Sequence, residues 1–212
     1  MTDDERLERY VLEHSDAEGE YLHRLWRASY RYLVNGRMVS GHLQGRLLRM
    51  LVHMIRPKAI LEIGTYSGYS AICMAEALDD DARVYTYEVN DEMEDFARYW
   101  IDHSLAAHRI VMTIGDAMVL APKSGRVYDM VFMDGDKRTY PEMYEMALGV
   151  LRDGGFMVVD NTLWDGHVTD SAYDHDAQTC AIRRFNDLVA ADDRVEKVIL
   201  PLRDGLTLIR KK

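Results

Sequence analysis

Residues 59–78 read AILEIGTYSGYSAICMAEAL. The run 59–64 is apolar except for Glu62, as expected of a strand covered on both faces. Gly64 and Gly68 follow, and a helical pattern starts at Tyr69. Strand, glycine turn and helix in that order open a βαβ unit. The glycines let a ligand approach the backbone closely. The first N–H groups of the helix are free to meet a carboxylate, and Ser70 adds a hydroxyl. Glu88 ends the next apolar run, where an acid commonly accepts hydrogen bonds from ribose. Together these features predict a nucleoside-containing cofactor. The turn is not G-x-G-x-x-G, because Thr65 and Tyr66 intervene, which counts against a nicotinamide-dependent oxidoreductase.

Strand and helix signals then alternate. RVYTYEV (83–89), RIVMTIG (109–115), YDMVFMD (128–134) and GGFMVVD (154–160) read as strands. Helical segments are expected over 91–105, from about Pro141, and near 177–191. VEKVILPL (195–202) and GLTLIRK (205–211) form a hairpin across Arg203-Asp204-Gly205. Upstream, 3–35 reads as helical, and 41–55 carries the apolar spacing of one helix face, closed by Pro57. The pattern predicts an α/β fold with a mainly parallel sheet, helices on both faces and an antiparallel strand from the hairpin. Ligands bind at the carboxyl ends of such strands. That places Gly64, Glu88, Gly115, Asp134 and Asp160 along one rim.

The chain has 212 residues, which suits a single domain over 1–212. A net charge of −10 disfavours non-specific binding to nucleic acid or to an anionic membrane. No apolar run approaches the ~20 residues that span a bilayer. MTDDERLERY has no apolar segment of a signal peptide, and Cys73 and Cys180 fit reduced thiols, so a cytoplasmic location is expected. The histidines show no zinc-like spacing with the cysteines. His14 and His23 are expected on solvated helix faces.

The ordered set LEIGTYSGYS, YEVN, IGDA, FMDGDKRTY, VVDNTLWDG and DGLTLIRK resembles the cation-dependent class I O-methyltransferases, the family of catechol and caffeoyl-CoA O-methyltransferases, with small bacterial members nearest. The likeness runs from about Met38 onward. It implies a Rossmann-like seven-stranded sheet with a reversed last strand, S-adenosylmethionine as methyl donor, Mg²⁺ or another divalent cation such as Mn²⁺ or Ca²⁺, and a vicinal dihydroxy aromatic acceptor. It further implies a homodimer, with residues 1–55 shaping the acceptor site or the dimer contact. Carried over by position, Glu62, Gly64, Thr65 and Ser70 would hold the methionine end of the donor. Glu88 would hold the ribose, Asp116 and Ala117 would lie beside the adenine, and Ser40 would add a donor contact. Asp134, Asp160 and Asn161 would bind the metal, Lys137 would be the general base, and Asp136 would lie near the acceptor.

The chemistry fits these groups. Two carboxylates and an amide oxygen suit a hard cation and leave positions for two adjacent substrate oxygens. Chelation would fix the acceptor hydroxyl against the donor methyl and lower its pKa. Lys137, depressed by the neighbouring cation, would take the proton. Trp164 is a candidate for the acceptor pocket or for structural packing, and His167 for the same pocket or for solvent. Gly135 implies a small wall. The acidic loop 165–179 offers little to attract a coenzyme A phosphate. A modified tRNA nucleoside such as a hydroxyuridine is the alternative acceptor, with Arg31, Arg37, Arg46 and Arg49 as a possible basic patch. A non-catalytic binding protein of the same fold is a further alternative.

Overall fold

The computed structural model describes residues 3–212. Helices α1 (Asp3–Glu13), α2 (Glu20–Tyr32) and α3 (His42–Ile55) precede the sheet. Then come β1 (Ala59–Ile63), α4 (Tyr69–Ala75), β2 (Arg83–Glu88), α5 (Glu94–Asp102), β3 (Ile110–Ile114) and α6 (Ala117–Lys123). The chain continues through β4 (Tyr128–Met133), α7 (Tyr140–Val150), β5 (Leu151–Asp160), α8 (Ala177–Ala191), β6 (Val195–Leu200) and β7 (Leu206–Lys211).

The seven strands form one sheet in the order β3-β2-β1-β4-β5-β7-β6. Pairs within β3-β2-β1-β4-β5 are parallel, and β7 runs antiparallel to both β5 and β6. β1 sends its crossover to β2 on one side, while β4 flanks it on the other. The carboxyl ends of β1 and β4 therefore form the switch point at which such sheets bind ligands.

Alternation of side chains along the strands builds a core on each face. Leu61, Ile63, Val131, Met133, Met157 and Val159 pack against Ala117, Ala121, Tyr144, Ala147, Ile182 and Phe185 of α6, α7 and α8. Ile60, Met130, Phe132 and Val158 pack against Leu48 and Val52 of α3 and Ala71, Met74 and Ala75 of α4. α2 closes a third cluster, in which Leu22 and Leu25 meet Tyr69, Ile72, Cys73, Ala97 and Ile101. Burial of both faces explains why β1 and β4 read as largely apolar runs.

Several local readings differ from the structure: α5 spans Glu94–Asp102 within the expected 91–105, and β5 starts at Leu151 rather than Gly154. The helical stretch 3–35 is two helices, broken where Gly19 adopts φ +87°. α4 ends at Ala75 rather than Leu78. α6 was not anticipated; its seven residues include Pro122 and are too few to show a period, and it starts where the Asp116 carboxylate accepts from Met118 N at 2.8 Å. No helix among the described residues is long and apolar enough to cross a membrane.

Candidate active site

The donor turn is built on backbone. Gly64 has φ +99°, a conformation strained for any side chain, and a Cβ there would collide with the carbonyl oxygen of Asp134. The end of β1 is thus pressed against the end of β4. Ser40, Gly64, Thr65, Ser70 and Asp134 line one small pocket. Glu88, buried at the end of β2, accepts from Tyr66 N at 2.8 Å and Asn90 N at 2.9 Å. These bonds fix the turn and leave each carboxylate oxygen a further lone pair.

Two expected donor residues have buried side chains. Thr65 is buried with its Oγ1 2.5 Å from Oγ1 of Thr86. Glu62 is fully buried and accepts from the Ser70 hydroxyl at 2.5 Å, while its Oε2 has no partner. Burial pushes its carboxyl up to about 8, against the bonds from Ser70 and Thr86, and the charges of Asp134 and Glu88 add to the rise. Glu62 reaches the pocket through Ser70. Asp116 is exposed and Ala117 is buried beyond the end of β3; neither lines the pocket around Gly64.

The ends of β4 and β5 carry charge instead. Lys137 Nζ donates to Asp134 Oδ1 at 2.6 Å and to Tyr140 Oη at 2.6 Å. Tyr140 Oη donates in turn to the Asp160 carbonyl at 3.0 Å, so one chain of bonds ties the two strand ends together. Asp160 is only 4% exposed. Burial, then the charge of Asp134, pushes its carboxyl up to about 6, opposed by Lys137, Gln44 and Asn161 N. The depression expected of Lys137 is one caused by a bound cation. Among the protein groups burial does pull it down, but the charge of Asp134 and the contact with Tyr140 outweigh burial and hold it above its ordinary value. Asn161 has φ +60°, a left-handed conformation that asparagine tolerates better than most residues.

Asp136 and Trp164 have structural partners. Asp136 is exposed; it caps the 3-10 turn Lys137–Thr139 through Arg138 N at 3.1 Å and binds the Arg138 guanidinium at 2.8 Å. Trp164, at φ +48°, packs against the core beneath α6, α7 and α8. Beyond it the His167 and Tyr173 rings stack at 3.6 Å. Arg183 gathers the carbonyls of His167, Val168 and Asp170 and the Asp174 carboxylate, which holds this loop together. Sequence reasoning did not find Tyr140, Gln44, Arg203 or Asp204, which touch Asp160, Asp160, Ser40 and Asn161. Gln44 and Asp160 are 116 residues apart, and no local motif signals such a contact.

Among solved structures, the O-methyltransferase TomG from Streptomyces achromogenes, in complex with SAM, shares 31% identity at TM-score 0.90 and covers 100% of both chains. The O-methyltransferase from Bacillus cereus, in complex with SAH, shares 28% identity at TM-score 0.89, covering 98% of this chain and 97% of that one. The seven-stranded sheet with its glycine turn at the switch point is therefore a Rossmann-like methyltransferase fold. A family model described as O-methyltransferase matches residues 12–212. A probable caffeoyl-CoA O-methyltransferase 2 of Dictyostelium discoideum is 31% identical over 208 residues, covering 95% of this chain and 90% of that protein. A caffeoyl-CoA O-methyltransferase 5 of Nicotiana tabacum is 31% identical over 220 residues, covering 97% and 90%. The chain belongs to the O-methyltransferase family, within the branch of the caffeoyl-CoA enzymes.

Proposed function

We propose that this enzyme, acting as a single domain, transfers the methyl group of S-adenosylmethionine to one hydroxyl of a small vicinal dihydroxy aromatic acceptor at a divalent cation, with Mg²⁺ the first choice. The observation that carries the reading is the convergence of Asp134 and Asp160 beside the glycine turn, with Asp134 shared between the donor pocket and the charged rim. The donor part also draws on TomG and the Bacillus cereus enzyme, which are complexes with SAM and SAH.

The residues present fit a hard cation. Two carboxylates, with the charge of Asp134 close enough to raise Asp160, together with an amide oxygen, form an all-oxygen donor set. Asp134, Asp160 and Asn161 would hold the ion, which when bound supplies charge to acidify a coordinated hydroxyl and to anchor the two acceptor oxygens.

The chain's own groups supply the rest. Glu88 would accept from the ribose, and the backbone around Gly64 and Ser70 would receive the methionine end. Once Asp134 is engaged elsewhere, Lys137 would lose its chief stabiliser, release its own proton to solvent, and as the neutral amine take the acceptor proton. The acceptor oxygen then attacks the sulfonium methyl, and S-adenosylhomocysteine leaves. Asp165, Asp170 and Asp174 are exposed on the loop after Trp164. Their charge repels a phosphate-bearing thioester, which favours a free phenol over the coenzyme A ester named for the relatives.

The test is methyl transfer to caffeate and to caffeoyl-CoA, with and without EDTA. Turnover of caffeate that EDTA abolishes and Mg²⁺ restores is expected. Turnover indifferent to EDTA would overturn the role of the cation, and a preference for the thioester would overturn the free phenol.

A further inference from the structure

Three residues outside every motif for metal binding surround the proposed cation ligands. Arg203 and Asp204 lie in the turn between β6 and β7, and Gln44 lies in α3. The turn is pressed onto the segment that follows Asp160. Thr162 N donates to the Gly205 carbonyl at 3.0 Å, and Leu163 N and Trp164 N donate to the Asp204 carbonyl at 2.7 and 3.0 Å. Gly205 has φ +87°, and a Cβ there would meet Leu163 N at 2.7 Å, closer than real Cβ contacts come.

From this frame two side chains reach the ligands. Asp204 Oδ2 accepts from Asn161 Nδ2 at 3.3 Å. An amide has one donor end and one acceptor end. Engaging Nδ2 turns Oδ1 away from Asp204, and oxygen is the end a hard cation takes. Without that acceptor the amide has two orientations, one of which points N–H at the ion.

The same logic applies to Gln44. Arg203 Nη1 donates to Gln44 Oε1 at 3.0 Å, which leaves Nε2 to donate to Asp160 Oδ2 at 2.6 Å. Asp160 Oδ1 accepts from Asn161 N at 2.8 Å. Each carboxylate oxygen thus has one fixed donor, and the carboxylate plane is set before any ion arrives. Arg203 is itself held by the Ser40 carbonyl at 2.8 Å.

We infer that Gln44, Arg203 and Asp204 are positioning residues that fix the Asp160 carboxylate and the Asn161 amide in the orientation that takes a divalent cation. The inference rests on the cation reading above. Partners behind metal ligands typically contribute about 10–100-fold to metal affinity.

The test is titration of the full chain with Mn²⁺, by calorimetry and by electron paramagnetic resonance, for wild type, Asp204→Ala, Asp204→Asn and Gln44→Met. Asp204→Ala and Gln44→Met are expected to weaken Mn²⁺ binding about 10–100-fold and to alter the resonance spectrum. Asp204→Asn retains an acceptor oxygen for Asn161 Nδ2 and is expected to recover most of the affinity. Binding of S-adenosylhomocysteine, measured alongside, is expected to stay within about threefold, since none of the three variants alters a donor contact. Should Asp204→Ala lose its fold, Gln44→Met, of similar volume, decides the matter. Variants that bind Mn²⁺ as wild type does would overturn the inference alone, as would Asp204→Asn falling as far as Asp204→Ala. A wild type that does not bind Mn²⁺ overturns the cation reading and the inference with it.

Discussion

The donor turn and the charged rim sit side by side at the ends of β1 and β4, and each contains a buried acid. Glu62 lies beneath the turn with hydroxyl partners and one oxygen unpaired, and burial pushes it up to about 8. Asp160 lies at the rim, also buried, but each of its oxygens takes an N–H donor and Lys137 is nearby, and it rises only to about 6. At neutral pH the first is mostly a neutral acid and the second mostly a carboxylate. Burial is common to both; the number of N–H donors and cations around the group decides its charge. The turn accordingly offers backbone to its ligand, and the rim offers charge.

The sharpest way to separate the halves is Asp160→Ala. Methyl transfer is expected to fall on the order of 10³-fold or more as acceptor positioning is lost. S-adenosylhomocysteine affinity, measured by calorimetry, should change only a few-fold; an equal loss of both would mean that the halves are one unit. Next is Lys137→Met, expected to lower turnover by about 10²–10⁴ in steady-state assays while donor affinity holds.

Gly64→Ala strikes where the halves touch. Positive φ and overlap with the Asp134 carbonyl should together cost about 2–5 kcal/mol in urea unfolding. The smallest effect belongs to Glu62→Gln, and it depends on pH. A carboxyl raised in the folded state stays protonated while its unfolded counterpart ionises, so wild-type stability falls as pH rises from about 4.5 towards the folded value of about 8. At pH 5 the variant and wild type should melt together. At pH 9 the variant should melt a few degrees higher, because only wild type carries a buried charge. Equal melting at both pH values would show that Glu62 stays ionised and that the contrast with Asp160 is not real.

Much of this arrangement is legible in the sequence, for a local reason. A strand buried on both faces shows as an apolar run, so Asp134 and Asp160 stand out as the charges that stop β4 and β5. Chain order then puts both on one rim. Gly64 is legible as a turn residue, although its pressure against Asp134 is not. What stays hidden acts at a distance or through atoms that any residue of its type carries. Glu62 matches a donor motif, yet its side chain is fully buried and bonded to Ser70. Gln44 looks like one polar residue in an amphipathic helix until the fold brings it to Asp160. The placement of β7 between β5 and β6 depends on pairing across the sheet, and the hairpin signal alone does not fix it.

That placement of β7 has a consequence for biosynthesis. Asp204 follows Asn161 by 43 residues, and β7 is the strand that joins β5 to β6. A nascent chain that has already threaded β1 through β5 still lacks the hairpin that frames Asp160 and Asn161. Because long-range pairing must wait for both partners to leave the ribosome, the glycine turn can take shape while the cation ligands are still unframed. Stalled or released fragments ending before residue 200 are then expected to keep an open edge on β5, a ready surface for chaperones and for aggregation.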